Sequence, residues 1–341
     1  WWAEKGFKLQ FDNKVTRGFL SNTKFDFIGI RRYAYIISGV VILIGIVSLF
    51  TKGLNYGVDF TGGRTYIIRF DREVKIDDVR KALEPNFSAL PEVKSFGPNN
   101  QVKITTKELI NEEGPEVDSI LTQKLYTSLK GLYQKPVELN EFSSDVSEGD
   151  KSIGILTSTK VGPTIAYDIK RNAVLAVLFA LLVIFGYIAV RFKKWQYGLG
   201  GVVALFHDTM VVLGLFSIFY GILPFNMEVD QSFIAAILTI IGYSINDTVI
   251  IFDRIREYTH LFPKRDLYVN MNASINSTLA RTVNTAGTTL VTLLVMFIFG
   301  GDILRGFIFA LLVGIVVGTY SSVFVASSIA HDMLIRKKKK E

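Results

Sequence analysis

FIAAILTIIGYSINDTVIIF, residues 233–252, is almost unbroken apolar sequence with one carboxylate, Asp247, in its second half. The hydrocarbon core of a bilayer is about 30 Å thick and a helix rises 1.5 Å per residue, so about 20 apolar residues cross it. The stretch reads as a membrane span. Five more are expected at 33–51, 171–190, 198–223, 282–299 and 306–330. With 49% hydrophobic residues and a mean hydropathy of +0.33, the chain reads as a polytopic membrane protein rather than a soluble enzyme. An ionised side chain at mid-bilayer costs about 2.5–3.5 kcal/mol on insertion scales, so Asp247 marks either an ion pathway or a packed polar contact.

The neighbours of Asp247 favour the first. Ser244 lies three residues earlier on the same helical face, with Asn246 adjacent. Arg281 opens the next span, and Arg281, Thr285, Thr288 and Thr292 form a second polar stripe at helical spacing. Two such stripes suggest a hydrated path, although Ser and Thr also serve as interhelical glue. Desolvation favours a neutral acid, a nearby guanidinium favours the ionised one, and arginine keeps its own proton. Movement of Arg281 towards or away from Asp247 would switch the acid between releasing and holding a proton. The pair is therefore the candidate proton-coupling site.

Other polar positions carry blander expectations. His207 and Asp208 sit midway along the third span, about 100° apart on a helix, which points to a satisfied histidine and a helix-bridging acid; Asp208 stays a secondary candidate with Asn246 and Ser244. Asp253, Arg254, Arg256 and Glu257 read as a solvated cluster. Gly306, Ala310, Gly314, Gly318, Ser322 and Ala326 recur every fourth residue as a packing face. Leu267, Met271, Ile275 and Leu279 suggest an amphipathic helix within the 253–281 loop.

Residues 52–168 carry 18 acids against 15 bases and read as a folded domain outside the bilayer. Strands are expected at Thr65–Phe70, as a pair within Val93–Thr106, and at Val137–Phe142; helices at Ile76–Leu83 and Glu116–Tyr133. That order gives a small α+β sandwich. Lys and Arg concentrate in Arg191–Tyr197, in 253–281 and in the basic tail at 331–341, while 224–232 has none. Both termini are thus expected in the cytoplasm and the large domain on the other side. The net charge of +7 lies beside the spans, which accounts for it through orientation rather than nucleic-acid binding. There is no cysteine, no metal-ligand spacing and no nucleophile–base constellation, so neither an enzyme nor a cofactor is expected.

The segment Asn55–Gly63 follows the first span, and its glycines fit a tight backbone path. A phosphate cradle is disfavoured, since no Lys-Ser/Thr pair follows. Gly57-Val58-Asp59-Phe60-Thr61-Gly62-Gly63 resembles the signature after the first span of the SecD/SecF family. Residues 242–256 (GYSINDTVIIFDRIR), 277–289 (STLARTVNTAGTT) and 314–326 (GIVVGTYSSVFVA) resemble its SecF branch, from about residue 25 to the end. The resemblance implies the resistance-nodulation-division superfamily, with six transmembrane helices and a ferredoxin-like periplasmic domain between the first two. It marks Gly57, Asp59, Gly62 and Gly63 as the motif and Asp247 and Arg281 as the coupling pair. It also implies a bacterial inner-membrane protein working with SecD, beside the SecYEG channel and with YajC as a further partner, to drive late export of unfolded preproteins on the proton gradient, sodium being the other coupling ion. Residues 1–32 begin with Trp1 rather than Met and hold seven Lys or Arg, which suggests a cytoplasmic segment or linker and the SecF half of a fused SecD–SecF chain. A related exporter of lipids or small molecules and a passive translocon scaffold are the competing functions.

Overall fold

The computed structural model describes residues 20, 23–112, 114–143, 153–223 and 225–338. The expectation for the lead-in at 1–24 lies largely outside them, as does the tail beyond Lys338. Among the described residues, six helices are long and apolar enough to cross a membrane. They are built from α1 (Arg31–Thr51), α6 (Pro163–Phe192), α7 (Trp195–Phe219), α8 (Gln231–Leu261), α9 (Leu267–Phe299) and α10 (Asp302–Ser321), the last continuing through a π turn (Ser322–Ala326) into α11 (Ser327–Lys338).

Small residues decide which helices take the centre. An ideal Cβ on Gly200 of α7 would lie 2.6 Å from the Ala326 carbonyl oxygen, and one on Gly314 of α10 would lie 2.2 Å from Ile240 of α8. Backbones approach that closely only where no side chain intervenes. About half of each apolar window in α7, α8 and α10 is buried, whereas α1, α6 and α9 flank them with 17%, 11% and 17%.

Between α1 and α6 lie α2 (Val58–Thr61), β1 (Gly63–Arg69), α3 (Ile76–Leu83), β2 (Glu92–Ser95), β3 (Gln101–Thr106), α4 (Pro115–Leu129), α5 (Leu139–Ser143) and β4 (Gly154–Val161). The strands form one antiparallel sheet in the order β2-β3-β1-β4. With α3 and α4 as crossovers this is the split βαβ arrangement of ferredoxin-like domains. Tyr66 and Ile68 alternate along β1, Phe70 follows just past its end in the same phase, and with Ile104, Val79, Leu83, Leu121 and Leu125 they build the domain's core.

Three expectations need correction. Val137–Phe142 is not a strand: Phe142 N–H donates to the Glu138 carbonyl at 2.9 Å, closing a helical turn, and the strand position beside β1 is taken by Gly154–Val161. Residues 253–281 are not a loop, because α8 runs on to Leu261 and α9 begins at Leu267. The boundary at 281/282 disappears as well: Met271 and Ile275 are fully buried against Ile251 and Ile255, so the amphipathic turns pack on the bundle and run straight into the span.

Candidate functional site

Two apolar clusters fill the bundle. The one beside the sheet domain includes Phe216, Phe233, Ile237, Ile240, Ile308 and Ile315. The one at the far end includes Phe192, Ile251, Phe252, Met271, Ile275 and Val323. Between them four of the helices contribute buried polar groups: His207 and Asp208 on α7, Ser244, Asp247 and Thr248 on α8, Thr278 and Thr282 on α9, and Ser321 at the end of α10 with Ser322 in the π turn. The bundle thus carries a polar belt at mid-height.

Two acids occupy opposite conditions in that belt. Asp208 is fully buried and saturated: its Oδ2 accepts from Ser244 Oγ at 2.7 Å and Ser321 Oγ at 2.8 Å, and its Oδ1 lies 3.0 Å from His207 Nδ1. The adjacent histidine and aspartate therefore do meet, despite their angular offset along the helix. Ser322 Oγ donates to the Ser244 carbonyl at 3.1 Å and lies 2.8 Å from Thr248 Oγ1, tying the π turn to α8. Gly318 admits this network, since a Cβ there would sit 2.9 Å from Ser244 Cβ. The stripe read as plain packing thus forms one wall of the polar centre. Ser322 was read in the sequence only as part of that stripe, and Ser321 was not singled out.

Asp247 is 2% exposed, and its Oδ2 has no hydrogen-bond partner among the described residues. Ser244, expected to share its groove, turns to Asp208 instead, and Asn246 is exposed on the helix surface. Arg281 bears on Asp247 electrostatically but forms no ion pair with any described residue, and it is itself exposed. The stripe of Arg281, Thr285, Thr288 and Thr292 opens outward rather than closing on α8, each threonine hydroxyl donating to the carbonyl one turn back. Beside Arg281, the buried Thr282 Oγ1 also lacks a partner. The structure therefore brings Asp247 and Arg281 near without joining them.

The glycine motif does something different from cradling a ligand. Gly62 and Gly63 adopt φ of 69° and 148°, which only glycine takes readily. They turn the chain from α2 into β1. Gly57 N–H donates to the Val229 carbonyl at 3.0 Å, Val229 N–H donates to the Asn55 carbonyl at 2.8 Å, and Asp59 Oδ2 accepts from Gln231 N–H at 3.1 Å. The motif is thus a seat for the loop that leads into α8. Glu228 of that loop, missed in the sequence, is buried under the sheet, with Lys94 Nζ 2.7 Å from Oε1 and Lys103 Nζ 2.6 Å from Oε2. Burial by itself pushes the Glu228 carboxyl up, but Lys103 and Lys94 outweigh it and hold the group below the usual glutamate range. The one signal for it was an acid, with Asp230 two residues on, in a short loop without Lys or Arg.

Six spanning helices around a buried polar belt, with a split βαβ domain seated on one end, define a polytopic membrane protein of transport type. Residues 142–336 match the model of the C-terminal region of the protein export membrane proteins SecD/SecF, and residues 47–74 match the SecD/SecF GG motif. The chain is 44% identical over 316 residues to the protein translocase subunit SecF of Rhodothermus marinus, covering 92% of this chain and 95% of that one. It is 34% identical to that of Haemophilus influenzae, covering 92% and 87%. The crystal structure of SecDF, a translocon-associated membrane protein from Thermus thermophilus, superposes with a TM-score of 0.75 at 33% identity; it covers 93% of this chain, which spans 40% of that longer one. The chain belongs to the SecD/SecF family of protein-export membrane proteins, on its SecF side.

Proposed function

We propose that the chain works with SecD, beside the SecYEG channel, to drive late translocation and release of unfolded preproteins with the proton gradient. One observation carries this reading: a buried carboxylate at mid-bundle, Asp247, with an oxygen that lacks a donor. Nearly all buried polar groups find partners, so an orphan calls for a functional account. Protonation removes the charge that is costly to bury without a donor. With Asp247 neutral, Arg281 loses its electrostatic counterpart and the α8–α9 seam is free to rearrange; with Asp247 ionised, the two attract again. A proton moving through 100 mV releases about 2.3 kcal/mol, enough to shift a two-state equilibrium about fiftyfold.

The rest of the assignment follows from charge and exposure. Lys and Arg lie at the end away from the sheet domain, at Arg191, Lys193, Lys194, Lys264 and Arg265. By the positive-inside rule that end is cytoplasmic and the domain periplasmic, in the inner membrane. The exposed Arg281 and Asn284 do not suit lipid, so this side of α9 is where SecD packs, consistent with a SecDF structure of which this chain spans part. YajC is a further partner of the assembly.

The test is export of a secreted reporter in cells whose sole copy carries Asp247→Asn, with membrane abundance measured alongside. Loss of export at normal abundance is expected. Normal export would leave a passive scaffold as the better account, and export that follows the sodium gradient would replace the coupling ion.

A further inference from the structure

The sheet domain is covalently continuous with α1 and α6, two flanking helices, but α8, the helix that bears Asp247, reaches it only through non-covalent contacts. These are concentrated in four consecutive residues. Glu228 takes Lys94 of β2 on one carboxylate oxygen and Lys103 of β3 on the other. Val229 exchanges backbone hydrogen bonds with Asn55 and Gly57. Asp230 caps α8 by accepting from Phe233 N–H at 2.8 Å, and Gln231 donates to Asp59. Gly57 leaves room for this: its Cβ would lie 3.3 Å from Asp230 Cβ and 3.4 Å from Glu228 Oε2. Phe60 completes the joint by burying its ring in the same apolar cluster as Val229 and Phe233.

We propose that Glu228 is a positioning residue, which with Lys94, Lys103 and the Gly57 seat forms a rigid charge clamp carrying displacements of α8 into the sheet domain. The proposal rests on the proton-driven reading for what moves α8, and adds the route by which the movement leaves the bundle. Each carboxylate oxygen holds a lysine from a different strand, so α8 cannot tilt or slide without dragging β2 and β3. A single ion pair would pivot; two divergent ones do not. Replacing Glu228 also leaves Lys103 without its ion pair and Lys94 with Glu92 alone.

Because the chain has no cysteine, an introduced pair reports cleanly. Gly57→Cys with Asp230→Cys places two Cβ atoms close to the 3.5–4.5 Å range of disulfides. Reporter export would be measured in cells with the full chain in its native assembly, for Glu228→Gln with and without this staple, with abundance and disulfide formation followed on gels. Glu228→Gln is expected to lower export about tenfold at unchanged abundance, as losing one partner of a buried charge pair is costly. The oxidised staple should restore it to within about twofold, and reduction should abolish the rescue. A residue needed only for local folding would not be rescued in a redox-dependent way. Should Glu228→Gln fail to accumulate, Lys103→Gln, which leaves Glu228 paired with Lys94, takes its place. Normal export in Glu228→Gln, a formed staple that restores nothing, or a staple that blocks export in the otherwise unchanged chain each overturns the clamp; the last would mean that the joint has to open. Asp247→Asn run in parallel keeps the two readings apart, since its normal export would remove the proton-driven part while leaving the staple result to judge the clamp.

Discussion

Asp208 and Asp247 stand within about one helical turn of each other in one bundle, yet they have opposite lives. Asp208 of α7 points between α8 and α10, where Ser244 and Ser321 donate to it, with His207 of its own helix beside it. Asp247 belongs to the looser side towards α9, with an oxygen that no group among the described residues satisfies and a guanidinium that acts on it only electrostatically. A buried acid supplied with donors holds helices together; one denied them is, on the proposed reading, the one held ready for a change of protonation. Position in the membrane is common to both, so the difference comes from what the neighbouring helix offers.

The largest expected effect sharpens that contrast most directly. Asp247→Asn should reduce export on the order of a hundredfold while leaving thermal stability of the purified protein unchanged, since it removes a charge that has no partner to lose. Asp208→Ala should do the reverse and lower stability by about 3–5 kcal/mol, because it strands Ser244, Ser321 and His207 together. Denaturation in detergent, read beside export, separates the two; equal losses of stability would erase the distinction. Gly318→Ala comes next. Its new methyl must displace Ser244 from Asp208, for a loss of about 1–3 kcal/mol without a change in the pH dependence of export.

The smallest effect lies outside the bundle. Glu228 titrates below its unfolded value of about 4.5, so its contribution is complete above that pH and is lost as pH falls through the depressed value. Lys94, raised in spite of burial by Glu228 and Glu92, would lose its share only as pH climbs through a value above 10.5. Asp230 and Asp59 also face the joint, and Asp230 is held above the ordinary aspartate range by burial. Between these limits a single cysteine at position 57 should show constant protection from a thiol reagent, with exposure rising only in acid. Glu228→Gln should be more exposed and lose the part of the acid response that Glu228 carries.

The spans and the two charged residues were legible because apolar runs of sufficient length, and charges within them, have few other meanings. Of the sheet, Thr65–Phe70 and the pair around Gly97-Pro98-Asn99-Asn100 were legible from alternation and turn chemistry. Gly154–Val161 was not: Thr157, Ser158, Thr159 and Lys160 weaken its pattern, and its place is set by pairing with β1. Val137–Phe142 misled because Val137 and Leu139 imitate alternation while Phe142 belongs to a helical turn. At the site, Ser244 and Asp247 share a helical face by spacing, but which takes a partner depends on how α8 is rotated against α7 and α10, and no local pattern encodes that. Glu228 was hidden for the same reason: its lysines lie 134 and 125 residues away.

The π turn at Ser322–Ala326 has a consequence for what the chain can lose. An α-helix advances about 100° per residue, and a π turn accommodates one residue more than that progression allows. Upstream, Ser321 must point at Asp208; downstream, Asp332 must meet Arg31 at 2.9 Å and receive the Tyr35 hydroxyl at 3.2 Å. Both targets are hit only because the extra residue resets the helical phase between them. Deleting one residue from 322–326 would let the turn relax to plain helix with both targets still in aim, whereas winding the same five residues as plain helix would put one target out of aim by about a quarter of a revolution. The segment therefore works as an angular spacer between two fixed contacts, and with four of its five side chains buried it has little room for substitution as well.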